Sequence, residues 1–217
     1  MGPSSVILVS LLSLSSTPVA LLLVALTFGA TVGAIIIVLG EHSGAVINPA
    51  LTLAAASARL IKTNLVIPYI TFQTAGGILA GLTLRLVFTP LGDATSLGST
   101  KIASGINPVA GIALETLGTF VLAMSALAAT AWMSRARSQA LVVGGTLAIL
   151  ILFIGPLTGA GFNPARSLGP ALASGYWSNL YVYLVGPVLG GLLAGLLFKF
   201  EQRRVLARVG KGWKSSE

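Results

Sequence analysis

Residues 40–50 read GEHSGAVINPA and residues 155–165 read GPLTGAGFNPA, and the two stretches align without a gap. Gly40 meets Gly155, Ser43 meets Thr158, Gly44-Ala45 meets Gly159-Ala160, and Asn48-Pro49-Ala50 meets Asn163-Pro164-Ala165. One Asn-Pro-Ala carries little weight. Two in register with matching flanks are an internal duplication, so the chain must fold as two related halves. The correspondence runs on: an apolar stretch starts 16 residues after each Asn, at Asn64 and Asn179, and a glycine follows each Asn by 28 residues, at Gly76 and Gly191.

The halves lie in a membrane. Of the 217 residues, 55% are hydrophobic and only 8% charged, against about 25% charged in soluble domains; the mean hydropathy is +0.94. Apolar windows of spanning length fall at 18–40, 64–89, 108–132, 138–155 and 178–200. If the segment after each Asn does not fully cross, three spans separate the motifs, and an odd number of crossings makes the two copies enter from opposite faces. This is an inverted-topology repeat, whose working site lies near the midplane where discontinuous helices meet. The expected organisation is one membrane domain over 1–200, with a first repeat at 1–89, a second at 105–200, and a basic tail at 201–217.

Each motif has the chemistry of a helix start. Asn caps well, and Pro at the first helical position loses no useful N–H. The run from Pro49 to Ala58 makes ~15 Å of helix, half of a ~30 Å hydrocarbon core. Two such pieces, nose to nose, make one crossing. The third Asn-Pro, in GINPV at 105–109, lacks the flanks and reads as a loop turn.

Charge placement orients the chain. Arg59 and Lys62 share one loop, Arg135 and Arg137 another, and Lys199, Arg203, Arg204, Arg208, Lys211 and Lys214 the tail, while the alternate loops hold only Arg85 and Lys101. By the positive-inside rule the C-terminus is cytoplasmic, and the expected location is the plasma membrane. The net charge of +8 therefore reports topology and calls for no nucleic acid. No cleavable signal peptide is expected, since the first residues lack a basic start. Tyr176, Trp177, Tyr181 and Tyr183, near the start of the last span, read as an interfacial belt.

Arg166 is the only Lys or Arg between Arg137 and Lys199. A charge at bilayer depth costs roughly 2.5–3.5 kcal/mol on insertion scales, so the fold must use it. Glu115 lies inside a predicted span and is a functional candidate by the same reasoning. His42 is the single histidine and the chain has no cysteine, so no metal site, disulfide or thiol chemistry is expected. No nucleophile–base pair or Gly-rich phosphate loop appears, which removes an enzyme reading, and no cofactor is called for.

At these residues the chain resembles the aquaporin, or major intrinsic protein, family, and within it the archaeal-type members. The resemblance covers about residues 2–200 and rests on the paired Asn-Pro-Ala motifs with Arg after the second. Further matches are Phe28-Gly29, Gln73, ETLGTF around Glu115, Ser167, GPA at 169–171 and YLVGP at 183–187. It implies an all-α membrane fold with two re-entrant half-helices meeting at the midplane. It also implies a passive pore for water and small neutral solutes (glycerol, urea, ammonia, hydrogen peroxide) that excludes protons and ions, in a homotetramer with one pore per protomer. The motif residues Asn48, Pro49, Ala50, Asn163, Pro164 and Ala165 would form the pore centre. The filter positions fall on Phe28, Ile151, Ala160 and Arg166, and Glu115 and Gln73 give structural support, Glu115 by accepting from the re-entrant loop backbone. Phe28 and Ser167 look water-like, while Ile151 and Ala160 make a roomier, greasier wall. Glu41 and Val46 replace two histidines that members often carry, which argues against an inherited histidine gate and leaves His42 as a minor candidate for a pH switch.

Two half-helix N-termini would each present roughly +0.5 elementary charge to the midplane. Asn48 and Asn163 can aim amide donors into the lumen while their oxygens cap backbone. A water that gives its oxygen to those donors cannot relay a proton straight through, and Arg166 repels cations.

Two other readings stay open: a secondary transporter, which also uses inverted repeats but would want paired intramembrane carboxylates where Glu115 stands alone, and a non-conducting scaffold. Counting 48 residues back from Asn48, the spacing of Glu115 from Asn163, lands before Met1, and the apolar stretch Val6–Leu14 is too short to cross. The expectation is that most of a first span and its glutamate are lacking. Small residues crowd two spans, Gly76, Gly77, Ala80 and Gly81 in one and Gly186, Gly190, Gly191, Ala194 and Gly195 in another, marking faces of close helix approach.

Overall fold

The computed structural model describes residues 1–15 and 17–214, with side chains described through Gln202. The side chains of Arg203, Arg204, Arg208, Lys211 and Lys214, which carry most of the tail's charge, lie outside the described residues. The described chain is helical: α1 Gly2–Leu11, α2 Pro18–Ser43, α3 Pro49–Ser57, α4 Val66–Phe88, α5 Pro108–Trp132, α6 Ala136–Thr158, α7 Pro164–Ser174 and α8 Leu180–Lys214. Among the described residues five helices are long and apolar enough to cross a membrane, and they coincide with the five apolar windows. α3 and α7 are the two short helices that open on the Asn-Pro-Ala motifs.

Both repeats turn in the same way. α2 ends at Gly44 and α6 at Gly159, each in the left-handed region, with φ +69° and +78°. Glycine takes that conformation without steric cost. The next residue follows it there in both copies, Ala45 at φ +51° and Ala160 at φ +47°. A non-glycine residue in this region is uncommon, and finding it twice at equivalent positions shows that the two duplicated motifs make the same backbone turn.

Helices touch through glycine, as expected where lipid gives no hydrophobic drive between them. A Cβ on Gly29 of α2 or on Gly144 of α6 would strike the other's carbonyl oxygen, so these backbones cross in contact. The same holds for Gly77 and Gly81 of α4 against Ala165 and Gly169 of α7, and for Gly191 and Gly195 of α8 against Ala50 and Ala54 of α3. Gly76, paired with Gly191 by its spacing from Asn, faces open space; Gly77 makes the contact instead. The helix-packing register has slipped by one residue between the repeats, although the loop register has not.

The third Asn-Pro is more than a loop turn. Asn107 caps α5, its Oδ1 accepting from the Ala110 N–H at 2.9 Å, so the dipeptide starts a helix here too, but one that crosses completely. α1 is ten residues, about 15 Å, half the hydrocarbon depth. It seats Ile7, fully buried, in the cluster of Leu84, Leu97 and Ala173. A groove of ≈ 1030 Å³ runs beside α4 and meets the first residues of α1.

Candidate functional site: a midplane pore

The two half-helices meet through their caps. Asn48 Oδ1 accepts from the Ala50 N–H at 2.9 Å, and its Nδ2 donates to the Phe162 carbonyl at 2.8 Å. Asn163 repeats both interactions: Oδ1 accepts from Ala165 N at 3.0 Å and Arg166 N at 3.2 Å, and Nδ2 donates to the Ile47 carbonyl at 3.1 Å. Each cap is thus tied to the loop of the opposite repeat. One amide hydrogen of each Asn is committed to this bridge, leaving the other for the lumen.

Different side chains hold the two loops. Glu115, fully buried on α5, accepts from Thr158 Oγ1 at 2.6 Å and Gly161 N at 2.9 Å through Oε1, and from Phe162 N at 2.7 Å through Oε2. The Tyr183 hydroxyl closes the same turn by donating to Thr158 O at 2.7 Å. On the first loop the tie comes from α4: Gln73 Nε2 donates to Val46 O at 2.7 Å and to Thr52 Oγ1 at 2.8 Å. Tyr183 and Thr158 were legible only as a belt aromatic and a repeat match; their pairing is tertiary.

Arg166 sits one turn inside α7. Its guanidinium carbon lies 5.0 Å from the centroid of the Phe28 ring, and Nη1 donates to the Gly98 carbonyl at 3.2 Å. Nε is buried and has no partner among the described residues. Phe28 is backed by α1, since a Cβ on Gly2 would run into its ring. Gly98 holds φ +72° and packs against Pro3, so the turn that receives Arg166 also rests on α1.

A cavity of ≈ 510 Å³ passes these groups, lined by Asn48, Asn163, Phe28, Ala160 and Arg166 and extending to His42 at its other end. That is space for a file of waters. Of the four expected filter residues, Phe28, Ala160 and Arg166 come together on its wall. Ile151 does not line it: it is buried in the cluster that contains Ala160 and Phe162, and α6 presents Val143 and Leu147 to the cavity instead. Among the described residues no group of three His, Cys, Asp or Glu could hold a metal ion. The cavity and the groove beside α4 share Ser43, Val46, Ile47, Tyr69, Asn163 and Arg166.

Lys101 and Arg85, the cations of the two alternate loops, are both engaged. Lys101 Nζ lies 4.7 Å from the Tyr176 ring centroid, and Arg85 Nη1 donates to the Ala173 carbonyl at 2.6 Å. Both contacts fall at the far end of α7.

The family model for major intrinsic proteins matches residues 2–198, nearly the whole described span. The chain belongs to the major intrinsic protein family. Among family relatives, rat aquaporin-4 is 37% identical over 185 residues, covering 84% of this chain and 57% of its own length. Aquaporin NIP3-1 of Arabidopsis thaliana is 40% identical over 181 residues, covering 81% of this chain and 55% of its own. The chain therefore spans little more than half the length of these curated relatives. The X-ray structure of the aquaglyceroporin from Plasmodium falciparum superposes with a TM-score of 0.75 at 20% identity, over 82% of this chain and 81% of that one. The fold is that of an integral membrane protein of this family, all-α with two re-entrant half-helices.

Proposed function

We propose that the chain forms a passive transmembrane pore for water and small neutral solutes, excluding protons and ions. The observation that carries this reading is the crossed pair of Asn caps, with two half-helix N-termini facing one cavity. The positive ends of α3 and α7 meet at the midplane and disfavour cations there. Arg166 adds a charge that cannot be neutralised and whose donors suit a neutral oxygen-bearing solute. Water that accepts from Asn48 or Asn163 has its hydrogens turned away from the centre, which breaks a proton wire. The site residues are Asn48, Pro49, Ala50, Asn163, Pro164, Ala165 and the wall of Phe28, Ala160 and Arg166, with Ile151 packed behind it and Glu115 and Gln73 holding the loops. Residues 1–200 act as one channel domain in a plasma membrane with the C-terminus cytoplasmic, and the protomers assemble as a homotetramer in the lipid bilayer.

Proteoliposomes test the reading directly. Under osmotic shock they should shrink or swell quickly, with a low activation energy and no dissipation of a pH gradient. Permeability equal to empty liposomes, or a flux that needs an ion gradient, overturns it; the second outcome is that of a coupled transporter. Native mass spectrometry in mild detergent should give a tetramer.

A further inference from the structure

We propose that Arg85 is a positioning residue for the pore: it locks the outer end of α7 and, through that rigid helix, sets the placement of Asn163 and Arg166 at the lumen. The proposal rests on the channel reading above.

The contacts between α4 and α7 form a ladder. Gly77 meets Ala165, Gly81 meets Gly169, and Arg85 bonds to Ala173 O at 2.6 Å. The three rungs fall four residues apart on both helices, which is the spacing of one helix face, so the two run side by side in the same direction. The first two rungs are backbone against backbone. The third is a cation placed on the last turn of α7, where the carbonyls lack in-helix partners and the macrodipole is negative. α7 ends there at Gly175 in the left-handed region, φ +73°, and no backbone N–H is paired with Ala173 O among the described residues.

The other repeat carries the same device in its sequence register. On α8, Gly191 meets Ala50 and Gly195 meets Ala54 of α3. The next rung, four residues on, places Lys199 on α8 level with Ala58, the C-cap of α3. Each half-helix thus has an Asn at its pore end and a basic residue at register with its far end. Topology alone gives no reason for Arg85, since the positive-inside rule disfavours it on that side. The bond to Ala173 supplies the reason.

α7 is eleven residues long, so a tilt at Ala173 is transmitted to Asn163 and Arg166 at its other end. The test compares wild type, Arg85→Leu and Arg85→Lys as detergent-purified, size-uniform protein and in proteoliposomes. Two readouts are taken: hydrogen–deuterium exchange at residues 163–166 and 173–176, and the glycerol-to-water permeability ratio. In Arg85→Leu both segments should exchange faster and the ratio should rise, by roughly two- to fivefold, the factor a cation–helix-dipole contact corresponds to. Arg85→Lys, keeping the charge and losing the planar fork, should recover part of both. Faster exchange confined to 173–176 overturns the proposal, because Arg85 then only caps its neighbour; so does no change in either segment. If wild type moves no water in the same vesicles, the channel reading fails, and the exchange measurement still decides the role of Arg85.

Discussion

Asn48 donates to the carbonyl of Phe162 at 2.8 Å, so the cap of the first half-helix is braced on the loop that leads into the second. Removing it deletes a cap and strips a buried carbonyl of its donor. Asn48→Ala should destabilise the fold by about 1.5–5 kcal/mol, from a cap of ~0.5–2 and an unmet buried acceptor of ~1–3. Asn163→Ala should behave alike. Because both braces cross one midplane, the double variant should cost less than the two single ones together. Equilibrium unfolding in detergent measures all three, and strictly additive effects would remove the idea of a shared brace.

Glu115 accepts three hydrogen bonds from one loop. Glu115→Gln keeps the shape but turns an NH₂ toward a donor, which should cost ~1–3 kcal/mol and speed amide exchange at Gly161 and Phe162. Proton permeability should not change. A wild-type proton current that Glu115→Gln abolishes at unaltered stability would make Glu115 a relay instead.

Ile151 is buried behind Ala160 rather than on the cavity wall. Ile151→His places a ring with a polar edge there, and the edge can satisfy itself only by reaching toward the lumen. Glycerol and urea flux should then fall more than water flux. Equal loss for all three solutes would show that the position stays behind the wall.

Gly81 and Gly76 differ by five residues on α4 and face opposite demands. Gly81→Ala pushes a methyl into the backbone of Gly169 and should destabilise by about 1–3 kcal/mol. Gly76→Ala meets nothing within 4 Å and should be neutral or stabilising by up to ~1 kcal/mol through helix propensity. Thermal stability of the two variants, side by side, checks the register slip between the repeats.

The membrane environment, the five spans, the two half-helices and their inversion can all be read along the chain. These follow from signals local in the chain: apolar length against bilayer thickness, Asn-Pro as a helix start, and a duplication that aligns without gaps. It also pointed to Arg166 and Glu115, because a charge in an apolar span is costly enough to stand out.

What those groups touch is set by how the helices pack. A gap-free alignment of the loops gave no warning that α4 and α8 pack one residue out of step, since a helix face depends on the direction of each side chain and not on its count from Asn. Phe28, Ala160 and Arg166 come from three segments and meet only when α1, α2 and α7 have packed, while Ile151, equally apolar in sequence, turns into the core. Arg85 read as a mere exception to charge topology. Its partner is a backbone carbonyl 88 residues away, and a carbonyl carries no mark in the sequence of which side chain will reach it.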